Sequence, residues 1–477
     1  MTTRIAILGA GPGGYVAAVR AAQLGAAVTL VEQENPGGTC LNWGCIPSKV
    51  LITSADLLRR IRKAQDFGIE VAGEVRPRMD WLMARKAKVI SDQIQGLLKL
   101  FAHHRIRYVR GQGTIDGPGR LRVGLADGGT ETLAWDRLIV ATGTRPLELP
   151  GLAFDGRRVL SSDHALSLTA LPSSVAILGG GVIGCEFACL LAGLGTRVSV
   201  VEALPRLLPL PSVDEGISKV LLREFKKQKI AVHLKRTVTG VENGDGGLRI
   251  ATGPSPLLEP PAEKERMPLV LEADHLLVCV GRTPNTLGIG LETVGVTVDA
   301  RGWIEADTRL KTSADHVWAV GDVLGPSRVM LAHAASAEGA CAAANALGAA
   351  EAMDYSVVPG AIFTHPEVAT VGLAEAQARE QGLPVRTASV LFRTVAKAQV
   401  LDEIAGEARI VAHAESGAVL GVHLIGPHAT ELIPEATLAV SQGLAVEHLA
   451  ATIHAHPTLA EVLHEAALAW SGRPLHG

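Results

Sequence analysis

Ile5-Ala6-Ile7-Leu8-Gly9-Ala10-Gly11-Pro12-Gly13-Gly14 is an apolar run that ends in a GxGxxG turn and passes into an Ala-rich stretch. A second apolar run, Ala27 to Val31, ends at Glu32. Each part has a physical task. Gly9 permits a tight turn, Gly11 lets the backbone approach a pyrophosphate, and Gly14 allows helix and sheet to pack closely. The start of the helix offers unbonded N–H groups and a positive dipole end to phosphate oxygens. Glu32 offers a carboxylate to ribose hydroxyls. The spacing predicts strand, turn, helix and strand, the opening of a dinucleotide-binding α/β domain.

A lone motif of this kind is weak, but the chain contains it twice. Val175 to Leu178 enters Gly179-Gly180-Gly181-Val182-Ile183-Gly184, and Val198 to Val201 ends at Glu202. Each glutamate follows its last motif glycine by 18 positions, and corresponding positions differ by 170. Two complete copies predict two dinucleotide sites, one with Gly9, Gly11, Gly14 and Glu32, the other with Gly179, Gly181, Gly184 and Glu202. Glu202 would repel a 2′-phosphate, which favours NAD over NADP. Arg206 is the first cation after it.

Bulk properties narrow the class. The 477 residues are 47% hydrophobic and 19% charged, with 52 glycines and 3% aromatics, which suits an α/β protein of about three domains. A net charge of −3 provides no global field for nucleic acid or an anionic membrane. The run Arg223 to Lys229 reads as a solvated helix face. The chain opens directly on a strand, and no apolar stretch reaches membrane-spanning length, so a cytoplasmic protein is expected. Six cysteines are too few for a secreted disulfide scaffold. Cys185 and Cys189, one helical turn apart, read as helix packing, and no metal site is expected.

Cys40 and Cys45 stand apart from the rest, in Gly37-Gly38-Thr39-Cys40-Leu41-Asn42-Trp43-Gly44-Cys45-Ile46-Pro47-Ser48-Lys49. A bridge over so short a loop would stabilise the fold little. A cytosolic thiol pair of that kind points to redox chemistry. The other reading, two buried and unlinked cysteines, loses weight beside a nucleotide motif. The segment resembles the redox-active disulfide of the flavoprotein disulfide reductases, the class I pyridine nucleotide-disulfide oxidoreductases. The Ile46-Pro47-Ser48-Lys49 ending is most similar to the dihydrolipoyl dehydrogenases. His454-Ala455-His456-Pro457-Thr458-Leu459-Ala460-Glu461, near the other end, resembles the same family. Ala141-Thr142-Gly143, Gly281 to Asn285, Val317 to Asp322 and Phe363 to Glu367 supply further similar phrases, in family order over nearly the whole chain.

The resemblance implies an α/β fold with two Rossmann-like domains and an α+β dimerisation domain. Residues 1–150 and 282–352 would bind FAD, 151–281 would bind NAD, and 353–477 would form the dimer interface. It implies Gly9, Gly11, Gly14, Glu32, Lys49, Thr142, Gly143, Asp322 and Ala332 for FAD. For NAD it implies Gly179, Gly181, Gly184, Glu202 and Gly281. It implies a Cys40–Cys45 disulfide, with Cys45 toward the flavin and Cys40 toward substrate. His456 would be the acid/base, oriented by Glu461, and Lys49 would pair with Glu186 near the flavin. A cis His456–Pro457 bond is expected. The implied reaction is reoxidation of protein-bound dihydrolipoamide with NAD⁺. The implied partners are a second copy and a lipoylated carrier, or the acyltransferase core of a 2-oxoacid dehydrogenase or glycine-cleavage system. Two alternatives remain at this stage: another disulfide reductase, of the glutathione or mercuric type, and a non-catalytic flavoprotein subunit. The Pro-rich stretch 252–268 reads as an extended loop between strands.

Overall fold

In the parallel sheet that carries the first motif, Arg4–Leu8 lies between Ala27–Glu32 and Arg137–Val140. Parallel strands are buried on both faces and need continuous apolar runs. Ile5, Ile7, Leu30, Leu138 and Ile139 are all at most 1% exposed. The computed structural model of the protein describes residues 2–244, 246–258 and 263–476. Its contacts divide the chain into two compact units, each built from three stretches.

The first unit comprises Met1–Leu51, Arg78–Leu147 and Gly281–Tyr355. Its main sheet has seven strands, in the order Val317–Ala319, Arg137–Val140, Arg4–Leu8, Ala27–Glu32, Arg107–Ile115, Arg120–Leu125, Thr130–Ala134. The first five are parallel, and the last two extend the sheet as an antiparallel meander. Helix Pro12–Gln23 packs along helix Ala332–Ala346. Small residues make that approach possible: a Cβ on Gly339 would sit 2.2 Å from the Gly13 carbonyl oxygen.

The second unit comprises Ile52–Pro77, Glu148–Val280 and Ser356–Gly477. It repeats the theme: Ser174–Leu178 lies between Arg197–Glu202 and His275–Val278, all parallel. Corresponding hydrogen bonds recur. Gly9 N–H donates to Val31 and Gly179 N–H to Val201, both at 2.8 Å. An antiparallel sheet of Arg236–Asn243, Leu248–Pro254 and Leu269–Ala273 joins it. The expected loop over 252–268 is corrected at its start. Thr252 to Pro254 belong to a strand, because Thr252 is buried and its backbone pairs with Leu269. Glu263–Arg266 is a turn of helix, while 259–262 lie outside the described residues.

The carboxy-terminal stretch forms a five-stranded antiparallel sheet, Gly360–Ile362, Glu367–Gly372, Val419–Gly426, Glu407–His413, Val385–Leu391. Helices Ala429–Ser441 and Glu461–Trp470 share its core, through Ile433, Ala436, Val462 and Leu463. Among the described residues, no helix is long and apolar enough to cross a membrane. The architecture is the α/β class read from the sequence.

Gly339→Ala tests the helix pairing. Alanine would gain about 1 kcal/mol in helix propensity. The overlap with Gly13 backbone, which cannot yield as a flexible side chain can, should outweigh that gain. We expect net destabilisation of about 1–3 kcal/mol by denaturant unfolding; an unchanged midpoint would show that the helices can separate freely.

Candidate active site

In both turns the first and third glycines are required by the protein's own backbone. Gly9 has φ +101° and Gly179 φ +110°. A Cβ on Gly14 would lie 1.8 Å from the Gly9 carbonyl oxygen, and one on Gly184 would lie 1.9 Å from that of Gly179. The second glycines differ. A Cβ on Gly11 would have Gly38 Cα as its nearest neighbour, at 3.9 Å, and one on Gly181 would meet nothing within 4 Å. The chain itself therefore does not demand glycine there; a bound pyrophosphate does. Gly11 and Gly181 are the N-caps of helices Pro12–Gln23 and Val182–Leu194, and neither helix has a side-chain cap. First-turn N–H groups are thus left for an anion.

The two glutamates also match. Glu32 accepts the N–H groups of Ala10 and Glu34 at 2.8 and 2.9 Å. Glu202 accepts those of Gly180 and Leu204 at 2.5 and 2.7 Å. Each carboxylate braces its own glycine turn and keeps lone pairs for a ribose. Burial raises the Glu32 carboxyl above its usual value, against those N–H bonds. Arg206 is committed elsewhere: its guanidinium donates to Val213 O, Ser218 Oγ and Leu210 O at 2.8–2.9 Å.

Further residues of the first unit complete its site. Thr142 Oγ1 is buried without a hydrogen-bond partner, as a group awaiting a ligand would be. Gly143 has φ +64°, and Ala332 opens helix Ala332–Ala346. Asp322 Oδ2 accepts from Thr144 Oγ1 at 3.1 Å and lies 3.9 Å from Arg282 Nε. Burial raises the Asp322 carboxyl, opposed by Arg282 and Thr144. Sequence reasoning gave Thr144 and Arg282 no part. It also missed Asn285, whose side chain donates to Thr142 O, and buried Glu338, which holds Gly321 N–H at 2.6 Å. Only pairing across 138 or more residues reveals the Arg282 and Asn285 roles. Gly281, expected in the NAD set, opens the last stretch of the first unit.

Cys40 lies in the short helix Gly38–Asn42, and Cys45 is the first residue of helix Cys45–Arg62. Trp43 and Gly44 separate the helices and fold the chain so that the two thiols meet. Both are present as thiols. The hydrogen bond to Cys45, burial and the charge on Cys45 push the Cys40 thiol well up; Lys49 opposes them. Cys185 and Cys189 instead face Gly180 O and His365 N–H inside the second unit, and burial pushes the Cys189 thiol up to about 12. Among the described residues, no cluster of His, Cys, Asp or Glu is arranged to hold a metal.

In the second unit, His456 Nδ1 lies 2.8 Å from Glu461 Oε1, and Glu461 Oε2 accepts Thr458 N–H at 2.9 Å. The His456–Pro457 bond is cis, and so is His365–Pro366. The His456 side chain is 70% exposed. Burial alone would raise the Glu461 carboxyl, but the His456 and Thr458 hydrogen bonds and nearby histidine charge hold it below its ordinary value. The carboxylate contribution is thus present above the unfolded glutamate range and lost as pH falls through the lowered folded value. With Nδ1 donating to Glu461, Nε2 is left to take a proton. A cavity of about 450 Å³ borders the dyad, lined also by His454, His464, Glu465 and His476. Glu186, on helix Val182–Leu194, accepts Phe363 N–H at 3.0 Å.

Residues 3–339 match the model of the pyridine nucleotide-disulphide oxidoreductases, and residues 358–467 match that family's dimerisation domain. A dihydrolipoyl dehydrogenase of Chlamydia pneumoniae is 40% identical over 98% of this chain and 97% of its own. A mitochondrial dihydrolipoyl dehydrogenase of Arabidopsis thaliana is 38% identical over 99% and 91%. Among solved structures, LpdA from Mycobacterium tuberculosis superposes with TM-score 0.89 at 29% identity, covering 98% and 99%. The HOCl-induced flavoprotein disulfide reductase RclA of Escherichia coli superposes with TM-score 0.83 at 26% identity, covering 97% and 99%.

Gly181→Ala separates the ligand's demand from the chain's. The open space and the ordinary φ of −75° predict an unchanged thermal midpoint. NAD⁺ affinity, measured by calorimetric titration, should fall about tenfold or more, ~1.4 kcal/mol. Unaltered binding would remove Gly181 from the site.

Proposed function

The chain belongs to the pyridine nucleotide-disulphide oxidoreductase family, and we propose that within it the protein reoxidises dihydrolipoamide borne by another protein and passes the electrons to NAD⁺. The observation that carries this reading is the thiol pair Cys40 and Cys45, in mutual hydrogen-bond contact at a dinucleotide site. Its curated relatives named dihydrolipoyl dehydrogenase span nearly the whole chain, which favours that substrate over other disulfides. We assign FAD to 1–150 and 282–352, NAD to 151–281 and dimerisation to 353–477. Gly9, Gly11, Gly14, Glu32, Lys49, Thr142, Gly143, Asp322 and Ala332 hold FAD. Gly179, Gly181, Gly184, Glu202 and Gly281 hold NAD. Bound FAD supplies the two-electron exchange that links thiols to a nicotinamide.

The chain's own residues handle protons and sulfur. His456 Nε2 takes the proton from one thiol of dihydrolipoamide, because the thiolate is the nucleophile. Glu461 fixes the ring's tautomer and stabilises the resulting imidazolium. The substrate thiolate attacks Cys40 of the Cys40–Cys45 disulfide and Cys45 leaves as the thiolate. The second substrate thiol then attacks the first sulfur, closes the lipoamide ring and releases Cys40, which takes that thiol's proton while His456 holds the first. One substrate disulfide has formed and one protein disulfide has become a dithiol. Lys49, paired with Glu186, steadies the negative charge at the FAD side, where Cys45 faces.

We read the protein as a cytoplasmic homodimer in which His456 of one subunit serves Cys40 of the other. Its partner is a lipoylated carrier, or the acyltransferase core of a 2-oxoacid dehydrogenase or glycine-cleavage system. Steady-state turnover of free dihydrolipoamide tests the activity. We expect kcat/KM with NAD⁺ to exceed that with NADP⁺ by about 100-fold, the cost of ~3 kcal/mol for setting a phosphate against Glu202. No turnover of dihydrolipoamide sinks the reading, and equal use of NADP⁺ sinks the assignment of Glu202. Subunit mixing tests the shared site. Cys40→Ser and His456→Ala homodimers should each be nearly inactive, and hybrids refolded together should regain one working site of two. Inactive hybrids, with wild-type protein recovering through the same protocol, would defeat it.

A further inference from the structure

The turn that carries His456 joins helix Val446–Ala451 to helix Glu461–Trp470. From Ala451 to Pro457 every residue is exposed except His454. Ile453 beside it is 97% exposed, yet the His454 side chain is only 6% exposed. A buried imidazole in an otherwise solvated turn must have its polar atoms satisfied. Both are. Nδ1 lies 3.0 Å from Thr452 O, and Nε2 lies 3.0 Å from Glu435 Oε1. The ring also stacks on His464, with centroids 5.3 Å apart and planes at 30°. His464 Nε2 in turn reaches Ala450 O at 3.1 Å.

Each neighbour of the ring is itself anchored. Glu435 stands on helix Ala429–Ser441, which buries Ile433 and Ala436 in the core of the antiparallel sheet. The start of that helix is fixed to strand Glu367–Gly372: Glu367 Oε2 accepts Thr430 N–H at 3.0 Å and Thr430 Oγ1 at 2.7 Å. His464 lies on helix Glu461–Trp470, the helix that supplies Glu461. A rigid path therefore runs from the sheet through Glu367, Thr430 and Glu435 to His454, two residues before His456. On the far side of His456 the turn is held by Glu461 and by Thr458 Oγ1, which donates to Ala455 O at 2.8 Å.

We propose that His454 is a positioning residue for His456, and that the Glu435–His454 pair pins the turn that presents the acid/base imidazole. Thr452 O can only accept, so Nδ1 carries the hydrogen of that bond, and Nε2 shares a second hydrogen bond with the Glu435 carboxyl. His454 itself takes no proton from substrate. Its work is geometric, and displacement of a reacting group by ~1 Å costs about 100-fold in rate. This inference rests on the proposed role of His456.

The test uses the FAD-loaded protein. Nitrogen-15 spectra of labelled histidine, assigned by the signal that vanishes in His454→Gln, should show hydrogen on His454 Nδ1 and a hydrogen-bonded Nε2. Glu435→Leu should remove that signature. It should lower kcat for dihydrolipoamide about tenfold or more, with KM changed less than twofold, while FAD content and thermal midpoint stay near wild type. Glu435→Asp, which keeps a carboxylate, should restore part of kcat. A wild-type His454 whose Nε2 makes no hydrogen bond overturns the pair. Unchanged kcat after loss of the signature overturns the positioning role, as does an equal failure of the Leu and Asp variants. Should Glu435→Leu fail to fold, the wild-type spectrum and the Asp variant still decide. A wild type that folds but does not use dihydrolipoamide sinks the functional reading alone, because the ring spectrum is recorded without substrate.

Discussion

The close approach of a helix start to the end of its own strand is the constraint on which both dinucleotide sites depend. It exists because Gly14 and Gly184 have no Cβ to meet the carbonyl oxygens of Gly9 and Gly179. With that contact made, the helix start faces outward with unbonded N–H groups, and Gly11 and Gly181 leave the space in front of them open. A larger residue at the third position would push helix from strand, and the anion site would open with it. Glu32 and Glu202 then tie the next strand back to the same turn through the N–H of Ala10 and of Gly180, and each also accepts an N–H two residues further on. The carboxylate assigned to the ribose is thus also the brace that shapes the glycine turn.

The redox segment and the histidine dyad follow a second rule: a neighbouring group sets which atom holds a proton. The Cys40 thiol is pushed up because Cys45 is its hydrogen-bond partner and burial opposes its charge. Glu461 stays ionised because His456 and Thr458 supply donors. Neither effect is a property of the residue type. Burial pushes the Cys189 thiol up as well, but the donor it meets is the His365 N–H rather than a second thiol. The contrast separates a redox pair from structural cysteines in one chain.

Much of this was legible in the residues. The GxGxxG turns, their strands and terminal glutamates could be read directly, because the local backbone geometry permits few residue types. The Cys40 to Cys45 spacing and the His456 to Glu461 spacing were legible for the same reason, since both pairs meet within one short turn. What escaped the reading lay at long range. Arg282 reaches Thr144 across 138 residues, and Asn285 reaches Thr142 across 143. Those contacts arise because Arg282–Pro284 pairs with Thr144–Pro146, and nothing local to either segment specifies that pairing. His454 was read as part of the motif but given no role; its partner Glu435 is 19 residues away on another helix.

By itself, then, the sequence determined the two nucleotide folds, their glycine turns and the identities of the thiol pair and the dyad. Each is a local solution, in which backbone sterics or a few covalent steps leave little freedom. Tertiary structure alone decided where the long side chains spend their hydrogen bonds. It committed Arg206 to Val213, Ser218 and Leu210, gave Glu338 to Gly321, and turned His454 inward while Ile453 beside it faces solvent. The reason is physical. A flexible charged side chain has many partners within reach in the unfolded chain. Only the packed fold removes water from some of them and leaves one arrangement with every buried polar group satisfied.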